Sequence, residues 1–347
     1  MSKTRMAIEI LEQPEALRRT LDELRPARDQ VAQLAGRRRR VLFAARGTSD
    51  HAAIYGRYLL ETHAGVLGGL LSPSVATHYR SRIDLSDALV VCVSQSGETA
   101  EIVETEAWAR TGGAVTVAVT NVAGSPLANS AHLALTTQAG LEVAVPATKS
   151  HTTQLAAMAV IGTALAADPG ALDVDLKRIP DEVAGLLEPD VSAAVAALKD
   201  ASYVVVSGRG LMLGTALETA LKLEETCLRP VRGYSYADFR HGPIAVVSDG
   251  VTAVLLAAPD GPLLTPMTEL ATDLSARGAV TVGIGGDAGF ADRCSVHLAG
   301  PRLPEALAPV ATIVPAQRVV EQLARALGLD PDSPRGLSKV ATTDPDA

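Results

Sequence analysis

The sequence predicts an α/β protein with two tandem, doubly wound domains, each built on a parallel sheet. Short continuous apolar runs alternate with helical stretches in both halves of the 347-residue chain. Continuous rather than alternating hydrophobicity is typical of parallel strands that are buried on both faces. Gly and Ser cluster just after these runs, at the strand ends where open α/β sheets bind ligands.

The same order of runs occurs twice along the chain. The runs of the first half are 41–49, 88–99 and 114–131, and those of the second half are 203–212, 251–262 and 279–294. Corresponding runs begin 162, 163 and 165 residues apart. Because three matches keep one order at a nearly constant offset, we predict two related domains.

The domain boundaries follow from the breaks between these runs. We expect a helical segment at 1–35, a first domain at 36–185, a second domain at 190–328 and a tail at 329–347. A helix-rich bridge at about 150–200 joins the two halves, and a final helix at about 314–327 follows the prolines of Pro301–Pro315.

Composition excludes several classes of protein. The net charge of −8 and the sequence pI of about 5.4 disfavour a nucleic-acid binder, which usually carries a basic face. Three widely spaced cysteines match neither a zinc site nor a disulfide framework. The chain opens without a signal-peptide pattern, and its longest apolar stretch, Leu155–Ala167, is too short for a membrane span. We expect a cytoplasmic protein without a metal or redox cofactor.

The most specific motif is a hydroxyl-rich turn between a strand and a helix, Ser94-Gln95-Ser96-Gly97-Glu98-Thr99. A helix start offers backbone N–H groups and a positive dipole end to an anion, and the hydroxyls add further donors. The alternative is a helix N-cap without a ligand. Since one cap does not need three hydroxyls and a glycine, the turn favours a phosphate site. The corresponding turn of the second half, at 258–261, lacks the hydroxyls, so we expect one phosphate site per chain.

Two further turns carry hydroxyl groups. Thr48 and Ser49 follow the first strand of the same half, where they could reach the same ligand or simply cap a helix. Residues 147–153 form a third turn of this kind before an apolar helix. Its Lys149 either opposes a phosphate or caps a surface.

A candidate acid–base group lies on a predicted helix at 216–229. Glu218, Lys222 and Glu225 fall at i, i+4 and i+7 and therefore share one face. A solvated, salt-bridged face is the alternative. His241 stands before Gly-Pro, which places it in a turn, and its ordinary pKa of about 6.5 suits proton transfer. A carboxylate and a histidine near a phosphate crevice suit chemistry on a sugar phosphate.

Six motifs together resemble the sugar isomerase (SIS) family. They are RGTSDHA, SQSGET, ATKSHTTQL, ALETALKLEET, FRHGP and PRGLSKV, and they cover roughly residues 40–345 in the family's order. The chain is similar to the two-SIS-domain isomerase half of glucosamine-6-phosphate synthase and to the stand-alone SIS-type glucosamine-6-phosphate deaminases. The resemblance implies two flavodoxin-like SIS domains with a tail over the site.

The resemblance also implies roles for individual residues. Glu225 would move a proton between C1 and C2 of the sugar, His241 would assist ring opening, Lys339 would close over the site, and Lys222 would orient the substrate. The implied substrate-binding positions are Thr48, Ser49, Ser94, Gln95, Ser96, Thr99, Val145 and Ala147. A homodimer in which His241 reaches the neighbouring subunit's site is implied as well.

Departures from the synthase point to a particular reaction. Ser2 stands where the synthase has a nucleophilic Cys, and we expect no glutaminase domain and no use of glutamine. Ala147 replaces a Ser that contacts substrate in the synthase. The motifs ARGTSDHA, YADFRHGP and DPDSPRGLSKV look closer to the deaminases. The implied reaction converts glucosamine 6-phosphate to fructose 6-phosphate and ammonia.

Other functions remain open on the sequence alone. Within enzymes, the alternatives are a fructosamine-phosphate deglycase, an aldose–ketose isomerase, and a deaminase of another amino sugar such as galactosamine 6-phosphate. A non-catalytic sugar-phosphate sensor is the alternative from another class. A sensor needs neither Glu225 nor His241 nor Lys339, and residues 1–40 show no DNA-binding helix-turn-helix pattern.

Overall fold

The computed structural model describes residues 3–168 and 170–339, and these form two compact units. The first-sheet unit comprises residues 15–142, 149–168, 170–177 and 338–339; the second-sheet unit comprises residues 3–14, 143–148 and 178–337. Neither unit is one continuous stretch of chain. In the second-sheet unit, the carboxylate of Glu9 accepts the backbone N–H groups of Val143 and Ala144, which ties the short segment 143–148 to this unit. The predicted domain boundaries stay a prediction.

The N-terminal helical segment consists of three α-helices in the described residues. They are α1 (Arg5–Leu11), α2 (Gln13–Leu24) and α3 (Arg28–Ala35). Thr4 caps α1 by accepting the N–H of Ala7, and Gly36 ends α3 with a positive φ. Such caps satisfy backbone groups that the helix itself leaves unpaired.

The first-sheet unit contains five parallel strands in the order β2-β1-β3-β4-β5. Their bounds are β1 Arg40–Ala44, β2 Leu67–Leu70, β3 Ala88–Val93, β4 Val115–Thr120 and β5 Leu133–Thr136. The helices that follow α3 here are α4 Thr48–Leu59, α5 Pro73–Thr77, α6 Ala100–Thr111, α7 Pro126–Ser130, α8 Lys149–Leu165 and α9 Gly170–Leu176. Every residue of the central β3 is buried, as the continuous apolar run predicts.

The second-sheet unit repeats this plan with five parallel strands in the order β10-β9-β8-β6-β7. The strands are β6 Tyr203–Gly208, β7 Val231–Ser235, β8 Val251–Ala257, β9 Val280–Gly285 and β10 Val296–Leu298. Its helices after α9 are α10 Ile179–Gly185, α11 Ser192–Lys199, α12 Leu213–Cys227, α13 Tyr236–Arg240, α14 Leu264–Ala276, α15 Ala288–Ala291 and α16 Ala308–Ala326. The prediction of two tandem, doubly wound α/β domains is confirmed.

The final helix begins earlier than the sequence predicts. α16 starts at Ala308 instead of about residue 314, and it contains Pro315 in its interior. Pro309 lies in the first turn, where a helix does not need the N–H that proline lacks. Val310, Ile313 and Val314 are buried, and this packing offsets the hydrogen bond that is lost at Pro315. The prediction of a proline-rich connection up to residue 315 is therefore wrong.

Candidate active site

The hydroxyl-rich turns of the first-sheet unit follow two neighbouring strands. The chain order reverses between β1 and β3, so this pair forms the topological switch point of the sheet. Residues 46–49 follow β1 and residues 94–99 follow β3. Open α/β sheets bind ligands in the crevice at such a point.

The turn at 94–99 is held in place by its own hydroxyl groups. Ser94 Oγ accepts the N–H of Gly97 at 3.2 Å and lies 3.1 Å from Thr99 Oγ1, and Ser96 Oγ accepts the N–H of Glu98 at 3.2 Å. Thr99 is the N-cap residue of α6, yet its side chain makes no capping hydrogen bond. The hydroxyls thus shape the turn rather than cap the helix. The interpretation as a simple N-cap is disfavoured.

One backbone carbonyl of this turn binds the neighbouring strand end, and one glycine packs closely against the residues that follow it. The carbonyl of Gln95 accepts the N–H of Asn121 at 3.0 Å and the hydroxyl of Thr120 at 3.2 Å. Gly97 adopts a φ of +66°, and a Cβ placed on it would lie 2.1 Å from Ser125 Oγ. Only glycine therefore fits at this position.

The turn after β1 is fixed by two side-chain contacts. Arg46 donates from Nε and Nη2 to the two carboxylate oxygens of Glu101, at 2.8 and 2.6 Å. The hydrogen bond to Glu101 raises the pKa of Arg46. Ser49 is buried and its Oγ accepts Nε2 of Gln154 at 3.0 Å, while Thr48 is partly exposed in the first turn of α4. The Arg46–Glu101 pair connects this turn to α6.

A buried acid beside the start of α8 was missed by the sequence analysis. The carboxylate of Glu142 accepts the N–H of Ser150 at 3.1 Å, the hydroxyl of Ser150 at 2.6 Å and the ammonium of Lys339 at 2.7 Å. The sequence feature that could have identified Glu142 is a single acidic residue within the apolar stretch 141–145. Lys149 is also buried, so the alternative that it caps a surface is wrong.

The second-sheet unit carries the candidate acid–base helix. Lys222 Nζ lies 2.6 Å from Glu225 Oε2 and 3.4 Å from Glu218 Oε1, so the spacing correctly predicts one shared face. The side chains of Glu218 and Lys222 are 0% and 2% exposed, whereas that of Glu225 is 25% exposed. The alternative of a solvated helix face is therefore wrong for Glu218 and Lys222.

Lys222 remains protonated in spite of its burial. Burial lowers the pKa of its ammonium, but the charges of Glu218 and Glu225 together outweigh burial and raise the pKa above its ordinary value of 10.5. A buried charge is tolerated only when it is paired and hydrogen-bonded. This cluster therefore presents one partly exposed carboxylate, Glu225, that an adjacent cation orients.

The remaining predicted residues of the second-sheet unit lie in two places. His241 is exposed and ends α13, and the following Gly242 has a φ of +126° before Pro243 starts a short 3-10 helix. Val145 and Ala147 are half-buried in the segment 143–148, where the N–H of Val145 donates to the carbonyl of Asp332 at 2.9 Å. The roles that the resemblance implies for them stay predictions.

The switch point of the second sheet differs from that of the first. Its strands β6 and β8 are followed by Gly210 and Gly261, and a Cβ on these glycines would lie 2.4 Å from Leu263 Cδ1 and 2.2 Å from Glu305 Oε2. An apolar and an acidic side chain thus occupy the space beside these two turns. The expectation of one phosphate site per chain stays a prediction.

The described part of the chain lacks both a metal-binding cluster and a membrane-spanning helix. Residues 3–168 and 170–339 contain no group of three or more His, Cys, Asp or Glu side chains placed to hold a metal ion. Over the same residues, no helix combines the length and apolar character needed to cross a membrane. The predicted cytoplasmic location stays a prediction.

Fold and site together define a tandem α/β protein with a hydroxyl-rich turn at one sheet and a carboxylate–lysine cluster at the other. Residues 33–164 match the SIS domain family. A crystal structure from Silicibacter pomeroyi DSS-3, of a protein assigned to the phosphosugar isomerases, is 35% identical with a TM-score of 0.88 and covers 95% of this chain and 100% of that chain. The chain thus belongs to the SIS family, as the motifs predict.

The chain is also similar to two proteins that are named as aminotransferases. The C-terminal domain of glucosamine-fructose-6-phosphate aminotransferase from Francisella tularensis is 28% identical, with a TM-score of 0.88 and coverage of 96% of this chain and 99% of that domain. The isomerizing glutamine–fructose-6-phosphate aminotransferase of Thermococcus kodakarensis is 33% identical over 354 residues, which cover 98% of this chain. The chain spans 58% of that relative's length.

Proposed function

We propose that the chain is an amino-sugar phosphate deaminase that transfers a proton between C2 and C1 of glucosamine 6-phosphate. The observation that carries the proposal is the Glu218–Lys222–Glu225 cluster. Its only carboxylate with substantial exposure, Glu225, is oriented by a lysine that a second carboxylate holds in place. A general base needs this combination of fixed position and access to substrate.

Binding begins with the phosphate group. The hydroxyls of Ser94, Ser96 and Thr99 and the N-terminus of α6 supply neutral donors and a positive dipole end. Thr48 and Ser49 contribute hydroxyls from the adjacent turn. Anchoring the phosphate fixes the sugar, so that the reacting carbons need not be bound by strong interactions of their own.

The proposed chemistry starts from the open-chain aldehyde, after His241 has assisted ring opening. Glu225 removes the proton from C2, because the C1 carbonyl acidifies this position, and O1 takes up a proton from solvent, so that an enolamine forms. Glu225 then returns its proton to C1 and the amino group releases one proton to solvent, which gives a C2 imine. Water adds to C2, and the resulting carbinolamine loses ammonia to leave fructose 6-phosphate. A general base of this kind contributes about 10²–10⁴-fold to the rate.

The proposal includes an assembly and a closing segment. As the resemblance implies, we propose a homodimer in which His241 serves the neighbouring subunit's site. Lys339 closes over the sugar, and Val145 and Ala147 contact it. Ala147 lacks the hydroxyl that the synthase presents at this position, so the hydroxyl pattern of the preferred sugar is expected to differ from the synthase's.

A direct assay tests this function. Purified protein is incubated with glucosamine 6-phosphate, without glutamine, and both ammonia and fructose 6-phosphate are measured. Equal amounts of the two products support the deaminase. Parallel reactions contain galactosamine 6-phosphate, glucose 6-phosphate and a fructosamine 6-phosphate, and faster turnover of one of these would replace the proposed substrate. Ligand-induced stabilisation without turnover of any of the four would favour a sensor.

A further inference from the structure

The carboxylate of Glu142 contacts both Ser150, in the first turn of α8, and Lys339. Its side chain is 0% exposed, and it accepts from Ser150 N, Ser150 Oγ and Lys339 Nζ. Glu142, Ser150 and Lys339 all belong to the first-sheet unit. We propose that Glu142 is a positioning residue, which fixes the ammonium of Lys339 and thereby the C-terminal segment that carries it.

Ser150 fixes the orientation of the Glu142 carboxylate through two hydrogen bonds. It is the second residue of α8, where a backbone N–H has no acceptor within the helix. Glu142 supplies that acceptor and also lies at the positive end of the helix dipole. The hydroxyl of the same serine binds the second carboxylate oxygen. The orientation of Glu142 is therefore set by local contacts, independently of the tail.

Charge compensation then favours docking of the lysine. Burial of a carboxylate costs free energy, and a cation in direct contact offsets part of this cost. Lys339 provides such a contact at 2.7 Å and is itself only 25% exposed. Glu142 thus determines where the ammonium of the tail lies.

The catalytic consequence rests on the proposed function. If Lys339 acts on the sugar, its ammonium must be held at a defined position, and Glu142 holds it there without contacting the sugar itself. Loss of Glu142 should then lower kcat as much as loss of Lys339 does. It should have no further effect once Lys339 is absent, because groups that act as a unit are not additive.

The first test measures the position of Lys339 and does not depend on turnover. Full-length wild type, Glu142→Gln and the control Glu106→Gln are treated with an amine-acetylating reagent, and acetylation of Lys339 is followed by mass spectrometry. Glu106 is a buried acid of the same unit that binds Thr116 instead. We expect Lys339 to react about tenfold faster in Glu142→Gln and at the wild-type rate in Glu106→Gln.

The second test links the contact to activity. The variants Glu142→Gln, Lys339→Met and the double variant Glu142→Gln/Lys339→Met are compared with wild type for kcat and KM. Equal losses of kcat in all three variants support the proposal. An unchanged acetylation rate in Glu142→Gln, or an equal rise in Glu106→Gln, would overturn it. If the wild type turns over no amino-sugar phosphate, the proposed function fails, while the acetylation result still decides the role of Glu142.

Discussion

The ammonium of Lys222 lies 2.6 Å from Glu225 Oε2 and 3.4 Å from Glu218 Oε1, between one partly exposed and one fully buried carboxylate. The two contacts have different consequences. Glu218 keeps the lysine charged inside the unit, and the lysine in turn fixes Glu225. Two successive turns of one helix therefore provide both the stability and the orientation that a catalytic carboxylate requires.

Replacement of Lys222 by methionine should destabilise the protein strongly. The substitution leaves Glu218 as a buried, uncompensated charge, and breaking such a pair costs about 3–5 kcal/mol. The measurement is the free energy of unfolding in denaturant. Lys199→Met, at an exposed lysine, is the control and should change that free energy by less than about 0.5 kcal/mol. The double variant Glu218→Gln/Lys222→Met should recover part of the loss, and no recovery would argue against charge compensation.

The same cluster predicts a dependence of stability on alkaline pH. Because the folded-state pKa of Lys222 lies above its ordinary value of 10.5, the unfolded chain loses this proton first as the pH rises. The stabilisation is therefore fully present below about pH 10 and is lost as the pH rises through the folded-state pKa. The free energy of unfolding, measured from pH 8 upward, should fall more steeply in wild type than in Glu218→Gln/Lys222→Met. Parallel curves would contradict the assignment.

Gly97→Ala should disable the phosphate turn. The new Cβ would lie 2.1 Å from Ser125 Oγ, on a backbone with a φ of +66°. We expect weaker binding of sugar phosphate, measured by calorimetry, together with lower stability. Gly124→Ala is the matched control, since Gly124 has a φ of +74° but no atom within 4 Å of the added Cβ. The control should lose about 1–2 kcal/mol from backbone strain alone and retain binding.

Arg46→Lys should loosen the turn after β1. Arginine binds both oxygens of Glu101, whereas lysine reaches them only as a point charge. The expected loss of stability is about 1–2 kcal/mol, with a rise in KM for the sugar phosphate. Arg18→Lys, in an exposed pair with Glu15, should change neither quantity. Equal behaviour of the two variants would show that the Arg46–Glu101 pair has no special role.

The central strands and the edge strands differ in how far the sequence predicts them. β3 and β8 are buried along their whole length, so their apolar runs are continuous and easily recognised. The edge strands are short and partly exposed, and their sequences do not alternate clearly between apolar and polar residues. The sequence of β2, for example, is LGGL. Edge strands are defined by pairing with a neighbour, which local composition does not encode.

In the candidate site, the sequence likewise predicts relationships within one helix but not contacts between residues that are distant along the chain. Helical spacing predicts the shared face of Glu218, Lys222 and Glu225 because that relationship lies within one helix. Burial of Lys222 depends on packing around α12 and was not predictable from spacing. Glu142 meets Lys339 from 197 residues away, so only the folded structure identifies this pair.

The central claim, that Glu225 is the base, is tested most directly by comparing Glu225→Gln with Glu224→Gln. The two acids are adjacent on α12, but Lys222 contacts Glu225, while Glu224 is exposed. Steady-state turnover of glucosamine 6-phosphate and its equilibrium binding are measured for both variants. We predict that Glu225→Gln lowers kcat by about 10²–10⁴-fold with nearly unchanged binding, and that Glu224→Gln keeps wild-type turnover. Near-normal turnover in Glu225→Gln, or loss of binding together with activity, would contradict the account.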